Sequence, residues 1–436
     1  MSTEHNVKTS QVSPPNLIIQ VSDEALGKLG YVVIDRPVQG TTSGGVRFAP
    51  DVSPGELTRL ARSMTYKWAF LNVPLGGAKA GIFADPRQLG CSRVTLMEAF
   101  GRSIAPLVCQ QVYHPGVDLG TTLDDLRAIM RGAGRPLLGR QIDGSFCTGL
   151  TVFETIRQVI RFNDLELNGL RVAIEGFGKV ASIVAELLAQ AGAKLVAIST
   201  VEGAIIAEGS LDVSRLLSLK EQYGDRLVHR YLNLRPITRD ALFTQPVDLL
   251  VPGARPEVIH TGNADQVQAK LIVPISNAPV TPEAERMLIA RGIVVMPDFV
   301  ANCGGVLASN MLSGGFDVKD VRRMVEETFA EVVTGVLQSA RQEGRSVNEI
   351  ARALAWQNHR ELNKSPTASP SKVARVSSVL KSQGWSGIWR RLAWRAHRRW
   401  PHLNGAIRHA AADRYTELTL DTTLMRVTSA HARKSG

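Results

Sequence analysis

Two lysines, Lys67 and Lys79, stand twelve positions apart in the stretch MTYKWAFLNVPLGGAKAGI, residues 64–82. The first sits on a helical-looking run. The second is read as part of a glycine-rich loop, because Gly76, Gly77 and Gly81 leave the backbone free for a small molecule to approach closely. Thirty-nine residues beyond Lys79, Pro115-Gly116-Val117-Asp118-Leu119-Gly120 puts a carboxylate in a second loop. Two cations and one carboxylate converging on a cleft suit an acid that carries a reacting amine. One group grips the carboxylate, one lysine is lowered in pKa by its cationic neighbour, and one group moves protons.

A second constellation lies further along. Residues 170–175, LRVAIE, read as a buried strand running straight into Gly176-Phe177-Gly178-Lys179-Val180-Ala181. An apolar helix follows to about Ala191, and then another strand over 194–199. Strand, glycine turn, helix and strand in that order are what a dinucleotide pyrophosphate requires. The glycines allow close approach, and a helix N-terminus faces the negative charge. An acid is expected at the end of the second strand for the ribose hydroxyls, but the chain reads Ser199-Thr200-Val201-Glu202 there. Glu202 could substitute, and NAD and NADP both stay open.

The elements that must hold these groups can be read from pattern. Short strands are expected over 17–21 and 30–35, with Asp35-Arg36-Pro37 as a turn. A helix over 54–68 has Ser53 as its cap and Pro54 in its first position. Helices follow over 94–107 and 123–130, the latter opening at Thr122 and Asp124. A helix over 150–162 leads into the nucleotide-binding part. Strands over 247–251, 271–274 and 292–295, with a helix over 282–290, continue an alternation that argues for a doubly wound parallel sheet. Residues 318–363 read as two polar-faced helices.

The 436-residue length allows two or three domains, and 44% hydrophobic with 21% charged residues is ordinary for globular proteins. No apolar run is long enough to span a bilayer, and the polar lead MSTEHNVKTSQVSPPN lacks a secretion-signal core. Cys91, Cys109, Cys147 and Cys303 have neither metal spacing nor disulfide density. No metal is expected, and a reducing cytoplasmic location fits.

Gly44-Gly45-Val46-Arg47-Phe48-Ala49-Pro50, then MTYK, PLGGAKAGI and PGVDLG, closely resemble the glutamate/leucine/phenylalanine/valine dehydrogenase family in wording, order and spacing. The resemblance covers roughly residues 17–363. It implies an N-terminal α/β domain plus a Rossmann doubly wound NAD(P)-binding domain. The domains would be a polar lead (1–16), a substrate and catalytic domain of the dimerisation type (17–145), the NAD(P)-binding domain (146–317), helices packing back across both (318–364) and a basic extension (365–436). The implied activity is reversible oxidative deamination of an L-amino acid to the 2-oxo acid and ammonia, by a homo-oligomer, a hexamer or octamer.

By residue-by-residue transfer, Lys67 would grip the substrate α-carboxylate. Lys79 would polarise the carbonyl and activate water, and Asp118 would carry protons to and from the amine. Gly45, Ser43, Asn302, Val306 and Ser309 would lie on the substrate side. Thr148, Gly149, Gly176, Phe177, Gly178, Lys179, Val180, Thr200 and Asn277 would lie on the cofactor side. For either asparagine, a turn residue bonding its own backbone is the competing reading.

The substrate signals diverge. Glutamate-specific members carry a lysine where this chain has Ser43, whereas Ser309 and Arg47-Phe48-Ala49-Pro50 are glutamate-like. Glutamate is placed slightly ahead, with a leucine-, phenylalanine- or valine-type dehydrogenase as the alternative. A non-catalytic regulatory paralogue acting through its tail is a reading of another class; retention of Lys67, Lys79 and Asp118 argues against it.

The net charge of +11 is concentrated in the extension, which holds thirteen basic residues against Asp413, Glu417 and Asp421. Trp385, Ile388, Trp389, Leu392 and Ala396 recur there at helical spacing among arginines. Such a segment suits an anionic membrane surface, a protein partner or this protein's own surface, and no specific nucleic-acid motif accompanies it.

Overall fold

The computed structural model describes residues 14–85, 92–137, 143–313 and 316–364, all within one compact unit. The expected basic extension and residues 1–13 of the polar lead lie outside the described residues. The first sheet has the order β1-β2-β4-β3-β5. Strands β1 (Leu17–Asp23) and β2 (Gly27–Arg36) form an antiparallel hairpin. β4 (Gly76–Phe83) runs antiparallel to β2 and parallel to β3 (Thr42–Ala49), and β5 (Tyr113–Val117) lies parallel to β3 at the far edge.

Two expectations fail here. Asp35 and Arg36 belong to β2, not to a turn, and the chain reverses at Gln39 and Gly40, both at positive φ. Asp35 is wholly buried because it is the anchor of helix α1 (Pro54–Phe70), binding Arg62 and Thr65. Lys79, expected in a loop, lies in the middle of β4, which is buried from Gly76 to Ile82. The glycines of this strand serve close packing. A Cβ on Gly77 would stand 2.2 Å from the Ala61 carbonyl oxygen, and one on Gly81 would stand 2.4 Å from Val52 Cγ1. Helix α1 therefore lies almost on the backbone of β4.

Alternation along the strands sorts the two faces. Val32, Ile34, Val46, Phe48, Ala78, Ala80 and Ile82 share one core with α2 (Arg93–Cys109) and α3 (Leu123–Gly132). The other face packs Val33 against Val52, Leu57 and Ala61. Ser53 caps α1 through the Glu56 N–H, with proline at its start, as its sequence predicts. Thr122 and Asp125 form a reciprocal capping box that opens α3.

Helix α4 (Ser145–Phe162) leads into a six-stranded sheet of order β11-β10-β9-β6-β7-β8. Its strands are β6 (Arg171–Glu175), β7 (Lys194–Thr200), β8 (Gly203–Ile206), β9 (Leu249–Pro252), β10 (Leu271–Ile272) and β11 (Val294–Val295). All pairs are parallel except β7 with β8, an antiparallel edge that the alternation pattern did not indicate. Helices α5 (Lys179–Gln190), α6 (Val213–Tyr223) and α7 (Pro282–Ala290) connect the strands. Two short helices, α8 (Asp298–Ala301) and α9 (Gly304–Ser313), follow β11.

The closing helical run comprises α10 (Val318–Arg323), a π segment over Met324–Phe329 and α11 (Ala330–Glu343). Helix α12 (Val347–Lys364) is the last element among the described residues. The Thr334 hydroxyl of α11 donates to Gln158 of α4 at 3.0 Å. The Asn358 amide of α12 donates to the Ala69 carbonyl of α1 at 3.0 Å. Stacking of Tyr66 on Phe299, with Trp356 edge-on to Tyr66, seals the junction of α1, α8 and α12. Among the described residues no helix is long and apolar enough to cross a membrane.

Candidate active site

Lys79 Nζ lies 2.9 Å from Asp118 Oδ1. Lys79 lies on β4 and Asp118 just beyond β5, on the far side of β3, so the lysine must pass across β3 to reach the acid. Gly45 makes this possible: it faces Gly116 in the β3–β5 register, and a Cβ there would stand 2.7 Å from Asp118 Cβ. The loop fixes Asp118 by its backbone, since its N–H donates to Thr121 Oγ1 at 2.8 Å and the Thr121 hydroxyl lies 2.8 Å from the Val46 carbonyl oxygen. Lys79 is only 3% exposed and Asp118 19%, so the pair opens outward at the carboxylate.

Lys67, near the end of α1, is buried beside this pair. Burial pushes its ammonium below the usual lysine range and Lys79 adds to the fall, while the charges of Asp298 and Asp118 oppose it. Its Nζ donates to Asn277 Oδ1 at 3.2 Å, on the turn that follows β10. That oxygen also accepts from Asn302 Nδ2 at 3.1 Å, and Asn302 donates further to the carbonyls of Ile275 and Ser276. Asn302 thus clamps the turn that presents Asn277. Its own Oδ1 is buried without a partner.

Gly176 has φ of +81° and its N–H donates to Ser199 Oγ at 3.0 Å; a Cβ there would stand 2.6 Å from that of Ala254. Gly178 is open, with nothing near a would-be Cβ. Helix α5 begins there with no side chain capping its first N–H groups. Free N–H groups at the start of a twelve-residue helix, beside an unobstructed glycine, fit a pyrophosphate.

Glu175, just before the turn, accepts the N–H groups of Gly253 and Ala254 at 3.1 and 2.8 Å and so shapes the opposite rim. Burial raises its carboxyl above the usual range against those bonds. The turn and the acid face one cleft, whose lining includes Arg47, Asp118, Gly178, Lys179, Val180 and Asn277.

Of the other expected residues, Ser43 donates its hydroxyl to the His114 carbonyl at 3.0 Å, and its own carbonyl accepts Trp68 Nε1. Val306 and Ser309 lie on α9, the first half-buried and the second exposed. Thr148 donates back to Gly144 within α4. Gly149 packs α4 on α5, where a Cβ would stand 2.6 Å from Ile183 Cγ2. Phe177 is buried, and exposed Lys179 pairs with Asp143.

The Thr200 hydroxyl donates to the Asp225 carbonyl at 2.7 Å, and exposed Glu202 lies 3.6 Å from His229 Nε2. Among the described residues no cluster suits a metal ion. Burial raises the thiols of Cys147 and Cys303 to about 11 and about 12, so neither is a thiolate.

Sequence reasoning missed Asp298. Its Oδ2 accepts from Ser63 Oγ at 2.9 Å and from the Ala278 N–H at 2.8 Å. The signal was an acid four residues before Asn302.

Residues 17–134 match the family described as Glu/Leu/Phe/Val dehydrogenase, dimerisation domain, and residues 143–365 match Glutamate/Leucine/Phenylalanine/Valine dehydrogenase. The NAD-specific glutamate dehydrogenase of Staphylococcus aureus (strain COL) is 34% identical over 297 residues, covering 64% of this chain and 70% of that relative. The hetero-hexameric glutamate dehydrogenase of Thermus thermophilus, in its Leu-bound form, superposes with a TM-score of 0.70 at 28% identity, covering 82% of this chain and 91% of that one. The L-tryptophan dehydrogenase of Nostoc punctiforme shares the fold, with a TM-score of 0.58 at 23% identity over 80% of this chain and 97% of that one.

Proposed function

The chain belongs to the glutamate/leucine/phenylalanine/valine dehydrogenase family, an amino-acid dehydrogenase working with NAD or NADP, and from that premise we propose that it reversibly deaminates L-glutamate to 2-oxoglutarate and ammonia. The observation that carries this reading is the Lys79–Asp118 pair, open on its acid side to a cleft that the glycine turn also lines.

Lys67 holds the substrate α-carboxylate. Asp118 takes a proton from the substrate ammonium and frees the nitrogen lone pair. Bound at the glycine turn, the nicotinamide cofactor would supply the acceptor for the hydrogen leaving the α-carbon. Lys79 then takes a proton from the water that adds to the iminium carbon, and Asp118 returns its proton to the nitrogen. The C–N bond breaks as the carbonyl forms, the hydroxyl proton leaving with the ammonia. Gly178, Lys179 and Val180 would hold the pyrophosphate, and Asn277 the nicotinamide end.

Glu202 is the acid available for the ribose hydroxyls once Thr200 is bound to the Asp225 carbonyl, which favours NAD, as in the name of the Staphylococcus relative. Self-association through the first domain follows from the same kinship, and light scattering on the purified chain checks it.

A neutral amino acid is the second reading, favoured by Ser43, whose hydroxyl is engaged with the His114 carbonyl and brings no positive charge. Absorbance at the reduced-nicotinamide band, with glutamate, leucine, phenylalanine and valine against NAD and NADP, separates these readings. Turnover of leucine above glutamate would replace the first by the second. No turnover of any would end both.

A further inference from the structure

We propose that Asp298 is the positioning residue of the site: it holds Lys67 between the two parts of the molecule and keeps that lysine charged for an anionic substrate group. One carboxylate oxygen, Oδ2, bonds in both directions. Ser63, whose hydroxyl it accepts at 2.9 Å, lies one helical turn before Lys67 on α1 and shares its face. Ala278, whose N–H it accepts at 2.8 Å, follows Asn277, which receives the Lys67 ammonium at 3.2 Å.

Ala278 has φ of +48°, a region that a residue with a Cβ adopts only under constraint. Its two peptide groups are held from opposite sides, the N–H by Asp298 and the carbonyl by the Glu257 N–H at 2.8 Å. Asp298 therefore maintains a strained turn whose purpose is to present Asn277 to Lys67.

The electrostatics agree with this placement. Burial lowers the Lys67 ammonium, and Asp298 is the strongest of the charges opposing the fall. Cys303, just after α8, is a neutral thiol; Lys79 on β4 repels the ammonium, and Asp118 after β5 is already paired with Lys79. Without Asp298, Lys67 would lose its proton at a lower pH, and an anion would lose its grip there.

This inference rests on the reading of Lys67 as the carboxylate grip, and the test separates the two. Full-length protein with NAD is compared with Asp298→Asn, Asp298→Glu and Ser63→Ala across the alkaline range. The alkaline limb of kcat/KM for glutamate should move down by about one pH unit in Asp298→Asn, carried by KM more than by kcat. Asp298→Glu should return the limb toward the wild-type position. Ser63→Ala, which deletes a hydrogen bond but no charge, should raise KM by the same factor at every pH.

A limb that coincides in wild type and Asp298→Asn overturns the proposal, as does equal, pH-independent damage in the Asn and Ala variants. Calorimetric titration of 2-oxoglutarate, at neutral and alkaline pH, reads the same shift without turnover. If wild type binds 2-oxoglutarate but never reduces NAD, deamination is refuted, and the binding shift alone decides the role of Asp298.

Discussion

Helix α1 carries charge to two places, and they are built differently. Where it meets β2, Asp35 is fully buried and takes Arg62 through both its oxygens, at 2.6 and 2.7 Å, while Thr65 donates to it at 2.7 Å. One anion faces one cation in bidentate geometry, and the Gly77 N–H joins through the Thr65 hydroxyl. Near the helix end, Lys67 is buried against an amide oxygen, and the next cation, Lys79, holds an acid that stays partly open. The first group is complete in itself. The second, on the proposed reading, is finished by the carboxylate and amine of the substrate. Acid–cation pairs therefore stand in both places, and what separates them is whether every partner is already supplied.

The sharpest way to break this distinction is to neutralise the two acids in turn. Asp118→Asn should lower kcat by about 10³-fold while the thermal melt stays within a few degrees of wild type. Asp35→Asn should do the reverse. It leaves Arg62 buried without its counter-charge and should cost about 3–5 kcal/mol in denaturant unfolding, with kcat per folded molecule nearly preserved. If Asp35→Asn removed activity from a fully folded protein, the contrast between scaffold and site would be gone.

Gly45→Ala should come next in size. The added methyl would stand 2.7 Å from both Asp118 Cβ and the Val117 carbonyl oxygen, so the acid must move from Lys79. A displacement of this kind at reacting groups lowers kcat by about a hundredfold. Gly55→Ala is the control, because its Cβ would meet nothing nearer than an Arg59 nitrogen at 3.7 Å. Equal activity in the two variants would show that Lys79 does not need the gap over β3.

How much of this was legible in the chain divides along the same line. Helix α1, its cap and the strand–turn–helix around Gly176 could be read directly, because caps, prolines and glycine turns act within a few residues of themselves. Lys79 was misplaced because glycines that let α1 settle on a strand look like glycines that loosen a loop. Asp35 looked like the start of a turn because Asp-Arg-Pro is turn-like. Only burial against Arg62, twenty-seven residues away, reveals it as an anchor. The antiparallel β8 was missed because its four residues carry no periodicity of their own. Asp298 was passed over because its partners, Ser63 and Ala278, lie 235 and 20 residues distant.

The smallest predicted effect compares a half-buried histidine, His114, with a buried one, His359. Partial burial lowers His114 on β5 below the ordinary histidine range of 6.5. Burial also lowers His359 on α12, whose Nε2 lies 3.4 Å from the Arg36 carbonyl oxygen next to Asp35. The sign follows from linkage. The folded state holds these rings neutral, so as pH falls through about 6.5 the unfolded chain takes up protons first and stability is lost. Each ring contributes a slope of at most about 1.4 kcal/mol per pH unit, and only between the unfolded and the lower folded value. Glu154, Glu175 and Glu285, raised by burial, act oppositely in a range beginning near the ordinary glutamate value, which makes the histidine slope visible only by difference. Denaturant unfolding at pH 7.5 and 5.5 of wild type, His114→Gln and His359→Gln should give the flatter slope in both variants. If the flattening is confined to His359→Gln, then β5 must be open to water at His114, and that edge of the first sheet would be looser than the sealed network around Asp35.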